Sequence, residues 1–149
     1  MTVIRSDRPI MRVGASTALA WLGLYLHNHL DLPQLTIFSP ETSVPGLIFA
    51  VLFAAWWLLP ARWITASLLL SWALLHLIGG AIISVIPFPF LPFYPEQSVR
   101  HYAAHVVYGA AQVPLIIGMI RQINRLSDRQ RVRHATVQRD RAATDRVHR

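Results

Sequence analysis

Histidine is the side chain in this sequence with the widest chemical reach, and its placement is not even. Five of the seven histidines (His27, His29, His76, His101 and His105) lie within stretches that are otherwise almost wholly apolar. An imidazole can ligate a metal, carry a proton or cross-link helices, and an ionisable group in an apolar segment is costly enough to need a partner. His101, His105, Tyr108 and Gln112 stand at i, i+4, i+7 and i+11, which lines them along one face of a helix. The H-x-x-x-H pair sets two imidazoles one turn apart, a spacing suited to gripping one ion. His27 and Asp31 are likewise at i and i+4, so the carboxylate can accept a proton from the imidazole and fix its tautomer. His29 points elsewhere, about 200° around the helix from His27. His76 shares a face with Trp72, Gly80 and Ser84, where the small residues admit a neighbouring helix or leave room for a flat cofactor.

The candidate ligands for a metal ion or haem are therefore His27, His76, His101 and His105. Asp31, Glu41, Glu96, Tyr108 and Gln112 are the groups expected to support them. The chain contains no cysteine. Thiolate sites, disulfides and covalent haem attachment are excluded, and any metal must be held by nitrogen and oxygen. Three histidines with a carboxylate suit zinc, copper or iron, and two imidazoles on different helices could ligate haem b axially. An open metal position would imply hydrolysis or oxidation of a lipid-soluble substrate, and a haem would imply electron transfer.

The elements that carry these residues are four apolar segments, at about 13–30, 44–59, 63–86 and 101–120. A helix needs about 20 residues to cross the hydrocarbon core of a bilayer. Charged residues are only 14% of the chain, and between Val13 and Ile120 they reduce to Asp31, Glu41, Arg62, Glu96 and Arg100. The expected fold is all-α: a polytopic bundle of four transmembrane helices. The second segment is short and flanked by Pro45 and Pro60, so a re-entrant hairpin competes with a full span there. Residues 1–12 form a basic N-terminal segment.

Residues 121–149 hold nine of the fourteen arginines and form a tail that is helical, then disordered. All fourteen basic residues are arginine, a hint of a GC-rich bacterial genome.

Basic residues are retained on the cytoplasmic side. With four spans, both termini and the Pro60–Arg62 turn share one side, together with nearly every arginine. That side is read as cytoplasmic, in an inner cell membrane. Trp56, Trp57 and Trp63 surround the same turn, where an interfacial aromatic belt belongs. Arg121, Arg125 and Arg129 are expected to contact anionic head groups. Nucleic acid is disfavoured, because the tail has neither a recognition fold nor interleaved aromatics. On the outer side, the segment Pro87–Glu96 carries four prolines with Phe88, Phe90, Phe93 and Tyr94, and should form a stiff interfacial lid.

The histidines and carboxylates of three segments thus converge on the outer side. Two further readings compete with a metal or haem site. In one the histidines are inter-helix hydrogen bonds of an accessory subunit in a larger membrane complex. In the other the chain oligomerises for proton-coupled transport.

Overall fold

A computed structural model describes residues 8–89 and 94–147, with side-chain surroundings through residue 138. Helix α1 runs Arg8–Asp31 and α2 runs Pro40–Leu58. Helix α3 runs Arg62–Leu75 and continues through a π-helical segment, His76–Ile82, into a 3-10 turn, Ile83–Val85. Helix α4 runs Val99–Val147. Among the described residues there is no strand.

Prolines and a serine cap set most of these boundaries. Pro33 follows closely on the end of α1. Pro40 opens α2 at its first turn, where its missing N–H costs nothing. Leu59 is extended (φ −83°, ψ 148°) because a residue before proline is driven out of the helical region. Ser98 caps α4: its hydroxyl accepts the His101 amide at 3.2 Å, which fixes the register of the first turn and so the position of His101.

The second apolar segment begins earlier than its composition indicates. Pro45 lies inside α2 without ending it. A proline removes the amide that would serve the carbonyl four residues back, here Glu41. Asn28 of α1 supplies the substitute, its Nδ2 donating to the Glu41 carbonyl at 3.2 Å and to Thr42 Oγ1 at 3.0 Å. The result is one continuous helix of 19 residues.

Three helical stretches are long and apolar enough to cross a membrane: Pro40–Leu58, Arg62–Val85 and Val99–Gln138. Helix α1 is long enough at 24 residues but carries more polar groups. Much of the apolar surface faces outward. Leu47 is 64% exposed and Leu58 70%, an arrangement suited to lipid rather than water.

The helices pack cyclically, α1 on α2, α2 on α3, α3 on α4 and α4 back on α1. Phe49, Leu69, Leu115 and Met119 fill the interior with the small residues Ala20, Ala66 and Ala73. Close approach depends on missing side chains. A Cβ on Gly23 of α1 would stand 2.4 Å from the Ala111 Cβ of α4. A Cβ on Gly80 would meet the Tyr108 hydroxyl at 2.6 Å. That contact corrects one expectation. The space beside Gly80 holds the Tyr108 ring, not room for a flat cofactor.

Candidate metal centre

The C-terminal end of α1 meets the N-terminal end of α4, and the histidines of both helices come together there. His27 Nε2 lies 2.9 Å from His105 Nε2. Asp31 Oδ2 is 3.3 Å from His27 Nε2 and 2.9 Å from His101 Nδ1. His27, Asp31 and His105 each offer one ligand atom, and all three atoms lie within 4.8 Å of one another, close enough to hold a metal ion.

The outward-facing nitrogens decide what the inner ones can do. His105 Nδ1 donates to the Ala81 carbonyl at 3.2 Å, an acceptor only. The contact follows from the backbone of α3, whose π-helical register ends at Ile82 and passes into a 3-10 turn. His27 Nδ1 lies 3.2 Å from Asn28 Oδ1. The amide of Asn28 cannot be turned round, because its nitrogen already serves the Glu41 carbonyl. His27 Nδ1 is therefore also a donor.

With both rings neutral, each Nε2 presents a lone pair to the other and to Asp31. Three acceptors converge, and only a cation or a shared proton can stand between them. Donation of the outer ring N–H to a carbonyl oxygen is the arrangement that orients metal-ligating histidines.

His101 donates to Asp31 from Nδ1, which leaves its Nε2 buried and without a hydrogen bond. Asp31 Oδ1 is buried and unpaired as well. Buried polar atoms in native proteins are nearly always satisfied, and these two stand beside converging lone pairs, where a ligand could satisfy them. The site is not sealed: Asp31 and His27 side chains are each 16% exposed.

His76 is brought near this group but not into it. The Tyr108 hydroxyl and His76 Nδ1 share a hydrogen bond, and the Tyr108 ring is 5.2 Å from the His27 ring. The remaining nitrogen of His76 is buried between Phe49 and Trp72, at ring distances of 5.1 and 4.7 Å. The expected axial haem pairs, His76 with His105 or His27, are not preformed: His76 Nδ1 is bonded to the Tyr108 hydroxyl and its other nitrogen is buried beside Phe49 and Trp72.

Several residues fall outside the cluster. Glu41 and Glu96 are exposed, and Glu41 contributes its backbone carbonyl to the site's support rather than its carboxylate. Gln112 is fully buried and donates to the Ala20 carbonyl at 2.9 Å, a tie between α4 and α1. His29 bonds the Leu35 carbonyl region at 3.2 Å and stacks on Tyr25. Of the lid residues, Phe88 is half-buried and Tyr94 is 79% exposed, while Phe90 and Phe93 lie outside the described residues. Sequence reasoning did not find Asn28, Ser98 or the Ala81 carbonyl. Two of these had signals: a proline four residues after Glu41, and a serine three before His101.

Comparison with protein-family models, curated proteins and solved structures finds no match.

Proposed function

We propose that this chain is a four-span membrane metalloprotein whose His27, His105 and Asp31 hold one non-haem transition-metal ion near the outer face of the membrane. The convergence of the two Nε2 lone pairs and a carboxylate, with both outer N–H groups already donated, carries this reading. Helix α1 is the fourth span. It closes the ring of helices, and Leu19, Leu22 and Leu26 present an apolar exterior like that of its neighbours. The termini and the Arg62 turn face the cytoplasm, because arginine is retained there.

Two histidines and one carboxylate with positions left open form the ligand set of non-haem iron(II) sites. Iron is the expected metal, with zinc and copper as the competing outcomes. His101 holds Asp31 in place. The open positions face the membrane–water boundary, which suits a ligand or substrate arriving from the lipid.

A second reading rests on the same contact, since 2.9 Å is also an ordinary N–H···N hydrogen bond. In that case a protonated His27 only ties α1 to α4, and the chain is an accessory subunit of a larger assembly. Elemental analysis and a visible spectrum of the protein purified in mild detergent separate the two. About one metal per chain without a Soret band, lost in Asp31→Asn, supports the metal site. A metal-free protein that takes up none of iron, zinc or copper supports the accessory subunit.

A further inference from the structure

At the opposite end of the bundle, all four helices line a partly open cavity of about 340 Å³. Three arginines line it, Arg62 from the start of α3 and Arg125 and Arg129 from α4, with Gln122 beside them and the Trp56 ring as an apolar wall. Gln122, Arg125 and Arg129 stand at i, i+3 and i+7, one face of α4. Arg121 falls on a different face and lines a separate groove between α1 and α4, together with Arg12.

We propose that this cavity binds a phosphate group, independently of the metal site. The lining residues include no acid, and neither Arg125 nor Arg129 has a carboxylate within ion-pair distance among the described residues. Arg125 and Arg129 are exposed at its rim, and two like charges one helical turn apart favour an anion that joins them. Arg62 is also held in advance. It donates to the Trp57 carbonyl at 3.3 Å, and its guanidinium lies 6.0 Å from the centre of the Trp56 ring. A guanidinium fixed in this way offers the paired N–H donors that match phosphate oxygens. The polar face suits the phosphate, while Trp56 and Leu126 suit an apolar stem. Arg62 was not among the arginines expected from the sequence to meet head groups. The shape of the cavity selects it, and it leaves Arg121 out.

Native mass spectrometry of the detergent-solubilised full chain, with dioleoylphosphatidylglycerol or dioleoylphosphatidylcholine added, tests this directly. A parallel arm measures thermal stabilisation by inorganic phosphate. The expected result is one tightly retained phosphatidylglycerol per chain, at least about 10-fold preferred over phosphatidylcholine. Arg125→Gln/Arg129→Gln should abolish that preference, and Arg12→Gln/Arg121→Gln should keep it. Stabilisation by inorganic phosphate, lost in the same Arg125/Arg129 variant, would also support the site and would identify its ligand as a soluble phosphate. Equal loss in both double variants, or no retention of either ligand by wild type, overturns the proposal. Circular dichroism confirms that each variant remains helical.

Discussion

At the residue scale, the site turns on which nitrogen of each ring carries the proton, and residues outside the ligand set decide that. Asn28 illustrates the point. It satisfies the carbonyl that Pro45 leaves without an amide, and in doing so it turns its own oxygen toward His27. Asn28→Ala should therefore cost about 1–3 kcal/mol of stability, since a helix carbonyl loses its partner. Thermal melts in detergent check this, and an unchanged melting temperature would show that water serves the carbonyl equally well. His101→Phe should keep the fold while weakening metal binding about 10- to 100-fold, because Asp31 loses the donor that orients it. A metal titration monitored by competition with a chelator reads that change.

That His27 with Asp31 and His101 with His105 share helix faces was legible in the sequence from helical spacing, whereas the contact of His27 with His105 across two helices was not. The role of Asp31 was only half legible: the i+4 spacing showed its reach to His27, but not its pairing with His101 across two helices. His76 was misread. Nothing in its spacing reveals its bond to a tyrosine 32 residues later.

At the element scale, the architecture depends on helices approaching where side chains are missing. Gly23 leaves room for Ala111 between α1 and α4, the two helices that supply the cluster. Gly23→Ala should destabilise the protein by about 1–3 kcal/mol, and Ala111→Gly in the same chain should recover part of that loss. A double-mutant cycle of melting temperatures measures the coupling, and strictly additive effects would contradict the contact. Gly80→Ala tests a different element. Its methyl would displace the Tyr108 ring, which is almost fully buried, and break the bond to His76. Loss of stability is expected with metal content kept, because the proposed ligand set includes neither Tyr108 nor His76.

The third apolar segment, 63–86, matches a helical stretch to within a residue, the first and second begin five and four residues after the starts of α1 and α2, and α4 runs on to Val147, well beyond 120. At the start of α2, Pro45 is accommodated by a partner on another helix. The π-helical segment left no mark in the sequence beyond Gly79 and Gly80. Its register presents the Ala81 carbonyl to His105, and composition does not encode such a contact.

At the scale of the whole molecule, the two ends of the bundle are built for different chemistry. One gathers imidazoles and a carboxylate, and the other gathers arginines around an indole. The proposed orientation can be read directly, because the chain has no native cysteine to confuse single-cysteine labelling. Thr36→Cys, between α1 and α2, should react with a membrane-impermeant maleimide in intact cells. Ala61→Cys, between α2 and α3, should react only after the membrane is permeabilised. The reverse pattern would invert the topology and move the cluster to the cytoplasmic face.

The most direct measurement of the central claim is the metal-edge X-ray absorption spectrum of the protein loaded with iron(II). The account predicts a first shell of nitrogen and oxygen only, with the outer-shell scattering of two imidazoles, reduced to one in His105→Gln. A spectrum without imidazole scattering, or one that His105→Gln leaves unchanged, would contradict it.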